Sequence, residues 1–223
     1  MFSDKKPQKN YFNIVEGKLT IRVPEGTPNA LTRVNKIGKT VHEVKHDSFT
    51  GKIASITTSV SPYGKNGKNW EIDFKANDES IWTLQLGYSS SFAKALLKKL
   101  PNINLDQEMT VSPFSGEIDG KKISTITVYQ NGTKVEPFYN KENPNGLPQM
   151  ELITVKGVET WDDTKQLQFL EEMVAATMKG INPEKKPLPP QTIEEMEEAM
   201  KDTSVDPKND DLLIDEEDLD APF

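Results

Sequence analysis

Both histidines of the chain fall within five residues, His42-Glu43-Val44-Lys45-His46. H-E-x-x-H is the pattern in which two imidazoles one helical turn apart hold Zn2+ while the glutamate activates a metal-bound water. That chemistry requires a helix. The surrounding stretch KTVHEVKHDSFTGKIAS, 39–55, reads as strand running into strand, and on a strand the two imidazoles stand about 13 Å apart. Lys45 would also set a cation beside the metal, and no third ligand follows at a suitable spacing, because downstream acids such as Glu71 sit in strand-like sequence. Zinc hydrolysis is therefore set aside, and the histidines are expected on a surface strand. With no cysteine there is no thiolate nucleophile, disulfide or thiolate metal site. There is no phosphate-cradling Gly-rich loop with its lysine, and a serine triad would lack a base. The reading is a protein without enzymatic activity, cofactor or metal.

A second set of residues carries binding chemistry instead. Cations and aromatic rings are interleaved: Arg33, Lys36 and Lys39 in RVNKIGK, then Tyr63, Lys65, Lys68 and Trp70 in SPYGKNGKNW, with Lys45, Lys52, Lys121, Lys122, Tyr129 and Lys134 from other strands and turns. Single-stranded nucleic acid calls for this mixture, since cations track the phosphates and flat rings stack on unpaired bases at about 1–3 kcal/mol per base. A duplex hides its base faces and gains little from rings. Tyr63, between Pro62 and Gly64, is the favoured stacking residue. Trp70, Phe74 and Trp82 alternate with polar residues, so each reads equally as core or as stacking platform.

The elements that must position these residues are mostly strands. KLTIRV (18–23), GKIASITTSVS (51–61), NWEIDFKA (69–76), SIWTLQLG (80–87), EMTVSPF (108–114) and KISTITVYQ (122–130) alternate or concentrate β-branched and aromatic residues. One helix interrupts them at 89–101, with serines to cap its start, Pro101 at its end, and Phe92, Leu96 and Leu100 along one side. A long strand, two more strands, a helix and two further strands is the order of a five-stranded oligonucleotide-binding barrel, the OB-fold. The fold class expected is thus mostly β, with residues 1–140 as the nucleic-acid-binding domain. A connecting segment, 141–181, holds an amphipathic helix over 161–180 whose Leu167, Leu170, Val174 and Met178 form a stripe, suited to packing on the barrel or on a second subunit in a homodimer. Asp162 and Asp163 suit its start and Gly180 its end. Residues 182–201 read as a Pro-rich linker and a short helix, and 202–223 as an acidic tail expected to be disordered.

Charge also divides the chain, within the connecting segment. Residues 1–156 carry a net charge of +5 and residues 157–223 a net charge of −13. No apolar run is long enough to cross a membrane and no leader pattern opens the chain, so the expected location is cytoplasmic. The last residues, DDLLIDEEDLDAPF, close a run of carboxylates on an aromatic residue. This ending resembles the tail of bacterial single-stranded DNA-binding proteins, which are Asp-rich and finish in Ile-Pro-Phe. It also resembles phage single-stranded DNA-binding proteins of this size, with one OB-fold and an acidic tail ending in phenylalanine. The resemblance implies sequence-nonspecific coating of single strands in replication, recombination and repair, removal of hairpins, and a phage origin with the host cytoplasm as location. It further implies recruitment of polymerase, helicase or primase by Asp215, Glu216, Glu217, Asp218, Asp220, Pro222 and Phe223. Leu219 among the acids and Ala221 in place of isoleucine depart from the bacterial pattern. The alternatives are an adaptor or DNA mimic acting through its acidic end, and an OB protein that prefers RNA or tolerates duplex.

Overall fold

Alternating apolar residues build a strand-dominated structure here because most of the longer strands bury one side. In the computed structural model, which describes residues 10–35, 38–60, 67–118, 120–155 and 157–179, the first half of the chain runs through β1 (Asn10–Val15), β2 (Lys18–Val23), β3 (Leu31–Val34), β4 (Thr40–His46), β5 (Phe49–Val60), β6 (Lys68–Lys75) and β7 (Ile81–Gly87). Helix α1 (Ser91–Leu97) and a 3-10 turn (Leu100–Asn102) follow, then β8 (Met109–Ile118), β9 (Lys121–Gln130) and β10 (Thr133–Lys134), a separate hairpin of β11 (Glu151–Val155) and β12 (Val158–Asp162), and helix α2 (Thr164–Met178). The linker, the short helix and the acidic tail assigned from sequence lie outside the described residues, as do Gly180, Lys36, Tyr63 and Lys65. Among the described residues no helix is long and apolar enough to cross a membrane.

The sheet order is β10-β9-β8-β5-β6-β7-β1-β2-β4-β3. All neighbours are antiparallel except β1 and β7, which run parallel. Along the chain, β5, β6, β7, α1, β8 and β9 follow the order expected from sequence, and in the sheet the five strands lie β9-β8-β5-β6-β7. A closed five-stranded barrel is not what forms. The free edge of β7 is taken by β1, a strand absent from the sequence reading, which brings β2, β4 and β3 with it. β9 is capped instead by the two-residue β10. The result is an open mixed sheet.

One tight turn joins β1 to β2. Glu16 and Gly17 both take positive φ, 52° and 71°, between β1 and β2, the backbone that a two-residue hairpin turn demands. A Cβ on Gly17 would stand 2.3 Å from the backbone nitrogen of Ser115 in β8, so the hairpin lies directly against that strand.

The core is one cluster of buried side chains from the sheet and the two helices. Trp70, Ile72 and Phe74 of β6 lie opposite Leu86, Leu84 and Trp82 of β7, and all but Trp82, which is half-buried, are buried. Ala93, Leu96 and Leu97 of α1 close one side, with Ser90 accepting a hydrogen bond from the Ala93 backbone N–H as the N-cap. Helix α2 buries Leu167, Leu170, Met173 and Val174, and the last three join the same core as the sheet. The helix therefore packs within its own chain, one of the two options its stripe allowed. It starts at Thr164 because Trp161 and Asp162 are spent on β12.

Candidate nucleic-acid interface

The sequence-selected cations fall into separate groups. On β3 and β4, Arg33 donates from Nε and Nη2 to the two carboxylate oxygens of Glu43, both at 2.9 Å. Arg22 of β2 approaches the same carboxylate at 4.0 Å. Glu43 is buried, so two guanidinium groups neutralise a carboxylate that would otherwise be desolvated without compensation. This settles the local geometry of His42–His46: the stretch is a strand, its glutamate is held by arginines, and His42 Nδ1 shares a hydrogen bond with Thr32 Oγ1 at 2.9 Å. Among the described residues no group of three metal-ligating side chains is gathered at one place.

Lys45 pairs with Glu16 at the β1–β2 turn, and Lys18 pairs with Asp47 beside it. Each lysine's hydrogen bond holds its carboxyl below the ordinary range. These pairs stand at the end of the sheet where a cavity of about 290 Å3 opens, lined by Phe12, Leu19, Ile21, Phe49 and Trp82 with His46 and Ser48 at its polar side. The rings of Phe49 and Trp82 lie 6.0 Å apart and those of Phe12 and Phe49 5.1 Å apart. Phe74, fully buried behind them, belongs to the core, whereas Trp82 keeps an exposed portion and donates its Nε1–H to Ser80 Oγ at 2.8 Å.

A third group shares the outer side of β5, β8, β9 and β10. Register places Tyr129 opposite both Thr110 and Lys134, and Thr50 opposite Thr110 with their hydroxyls 2.7 Å apart. Lys52, two residues along β5, lies on the same side and pairs with Asp106 at 3.6 Å. Lys121, at the β8–β9 hairpin, shares the parity of Tyr129, while Lys122 faces the other way, opposite Glu117. Phe114 also belongs here, two positions from Ser112 and four from Thr110; it is 44% exposed, and Tyr129, four positions along the ladder from it, is 41% exposed. Phe114 was missed in the sequence reading. The signal was present: Met109, Val111 and Pro113 are buried, which turns Thr110, Ser112 and Phe114 outward.

Two of the selected residues are committed elsewhere. Trp70 is 1% exposed. Its ring stacks on Tyr88 at 5.4 Å with 14° between planes, and its Nε1–H donates to the Tyr88 carbonyl at 3.1 Å. A ring so enclosed has no free side for a base, and the core alternative holds for Trp70. Lys68 reaches α2, donating to both carboxylate oxygens of Glu171 at 2.7 Å and lying 4.5 Å from the centre of the Tyr88 ring. Tyr88 donates its hydroxyl to the same carboxylate at 2.6 Å. The Lys68 hydrogen bond, then that of Tyr88, hold the Glu171 carboxyl below its ordinary range, and burial followed by Glu171 pushes the Tyr88 hydroxyl up. Lys68 thus fastens the helix to the sheet.

Lys134 pairs with Glu136 at 2.9 Å. Among the described residues, Lys39, Lys121 and Lys122 are exposed and make no ion pair. The tail residues Asp215, Glu216, Glu217, Asp218, Asp220, Pro222 and Phe223 lie outside the described residues. No family model, curated protein or solved structure matches the chain.

Proposed function

We propose that this chain binds single-stranded DNA without sequence preference, in replication, recombination or repair, and that β5–β9 with α1 form an open, extended version of the OB-fold. The observation that carries the reading is the strand order β9-β8-β5-β6-β7 with a helix between its third and fourth strands in sequence, the connectivity used for oligonucleotide binding in that fold. The outer side of β8 and β9 supports it, with Phe114 and Tyr129 as stacking rings among Lys52, Lys121 and Lys134. The acidic ending, which resembles those of bacterial and phage single-stranded DNA-binding proteins, recruits replication partners through Phe223. Its carboxylates compete with DNA for the same cations, because the chain divides into +5 and −13 halves.

The test is a titration of a fluorescent dT oligonucleotide with the full chain, and with a chain lacking residues 202–223, at two salt concentrations and against duplex competitor. Salt-sensitive binding that prefers the single strand, and strengthens on truncation, is expected. Failure of both proteins to bind refutes the reading. The adaptor alternative draws on a separate observation, the hairpin β11–β12 with Leu152, Val155 and Val158 exposed. It would then be the reading to pursue.

A further inference from the structure

Helix α1 presents a polar stripe that neither the core nor the proposed strand-binding side uses. Ser91, Lys94, Ala95 and Lys98 recur at helical spacing. With Lys99, Thr125, Pro137, Tyr139, Met150 and Gln166 they line a cleft of about 330 Å3 between α1, β9 and the start of α2, at the small end of the range for small-molecule sites. Three lysines line this cleft, and their partners differ. Lys94 is neutralised by Asp163 at 3.0 Å. Lys98 makes no hydrogen bond or ion pair with any described side chain. Lys99 is 5% exposed, and its ammonium donates to two backbone carbonyls, Ala95 and Ile126, both at 3.0 Å, with no carboxylate of the described residues bonded to it.

A lysine ammonium carries three donors, so Lys99 retains one beyond those two carbonyls. Burying a cation without an anion is costly. Here Lys99 is buried and its neighbour Lys98 half-buried, and the described residues that line their shared cleft include no carboxylate. The nearest acids are engaged, Asp163 with Lys94 and Glu136 with Lys134. The C-terminal carbonyls of a seven-residue helix offset part of this charge but do not supply a full counter-ion. Burial first, then the neighbouring Lys94, hold the Lys98 ammonium below its ordinary range, and burial does the same for Lys99. The cleft also offers hydroxyl donors in Ser91, Thr125 and Tyr139.

We propose that this cleft is a binding site for a phosphate monoester, held by Lys98 and Lys99 with hydroxyl groups around them. Two uncompensated cations match the charge of about −1.5 to −2 that a monoester carries at neutral pH better than they match a singly charged phosphodiester. The ligand class is therefore a small phosphorylated molecule or the terminal phosphate of a strand, and internal backbone phosphates fit less well. The site does not rest on the single-strand reading, and it stands or falls separately from it.

The probes are inorganic phosphate and thymidine monophosphate, with thymidine and acetate as comparisons. They are titrated into the full chain while the lysine Cε–H signals are followed by NMR. Saturable shifts at Lys98 and Lys99 with both phosphates, and none with thymidine, are expected. Lys98→Gln should weaken phosphate binding at least tenfold, whereas Lys179→Gln at the far end of α2 leaves it unchanged. If Lys98→Gln does not fold, the wild-type shifts decide alone. Absence of saturable shifts, equal response to acetate, or equal affinity in folded Lys98→Gln overturns the proposal. Thymidine monophosphate binding without inorganic phosphate binding also overturns it, since the contact would then be to the base or sugar.

Discussion

Replacing Leu170 by alanine tests whether α2 is an integral part of the core or an appendage. Leu170 is 0% exposed and belongs to the cluster that contains the sheet's aromatic residues. Truncation removes three carbons, a transfer loss of roughly 2.4 kcal/mol at about 0.8 kcal/mol per methylene. The cavity left behind adds to this, and buried Leu→Ala changes cost about 2–5 kcal/mol in total. Because Lys68 and Tyr88 also fasten the helix through Glu171, the site cannot collapse freely, and a value of about 3 kcal/mol is expected. For a folded unit of this size that corresponds to a fall in Tm of roughly 6–12 °C. Urea unfolding followed by tryptophan fluorescence reads it directly, with Glu172→Ala on the exposed side of the same helix as the comparison, expected within about 0.5 kcal/mol of wild type. A loss below about 1 kcal/mol for Leu170→Ala would refute the argument. So would a wild-type midpoint that rises with protein concentration, because the helix would then be packing on a second copy.

Two further changes probe the sheet and the clasp. Gly17→Ala puts a Cβ 2.3 Å from the Ser115 nitrogen on a backbone at φ 71°. A loss of about 2 kcal/mol or more in urea unfolding is expected, and a loss under about 0.5 kcal/mol would show that the hairpin does not press on β8. Glu171→Gln tests the Lys68 clasp through pH. The Glu171 carboxyl lies below its ordinary value of 4.5 when folded, so its stabilisation is complete above that pH and is lost as pH falls through the folded value. The urea midpoint of wild type should exceed that of the variant at pH 7, and the gap should close stepwise below pH 4.5. A gap of constant size down the acid limb would place the clasp's contribution elsewhere.

The strand pattern was legible wherever one side of a strand meets the core. KLTIRV, NWEIDFKA and SIWTLQLG each alternate apolar and polar residues, and each forms the strand expected. The helix at α1 followed from its serines and Pro101. β1 was not legible because NYFNIV, with its central asparagine, lacks a clean alternation, although Phe12 and Ile14 are both buried. Missing that strand meant missing the open sheet, since β1 occupies the edge that barrel closure requires. The β11–β12 hairpin was missed for a different reason: ELITV is exposed throughout and VETWD passes from exposed to half-buried without alternating, so burial imposes no period on them. For the site, charge was legible and partnership was not. Lys68 reads as a loop cation in sequence, yet its partner Glu171 lies 103 residues away.

That partnership changes what a salt titration of the proposed strand binding measures. Arg33, Lys45, Lys52 and Lys134 already face carboxylates, and a phosphate that engages one of them must displace an acid. Exposed pairs of this kind are worth about 0–1 kcal/mol each, so the exchange is energetically accessible. The released carboxylate regains a counter-ion as the phosphate loses one, so such an exchange adds little to the net uptake or release of salt. Arg33 differs, because its partner Glu43 is buried and would be left with Arg22 alone at 4.0 Å; it is a poor donor to phosphate. Of the selected cations without an ion pair, Lys122 faces away from Tyr129, so the salt dependence reports chiefly Lys39 and Lys121. At about −0.7 per phosphate contact on a single strand, these two cations give a slope of about −1.4. A much steeper slope would mean that cations outside the described residues, Lys36 and Lys65 among them, carry most of the phosphate contacts.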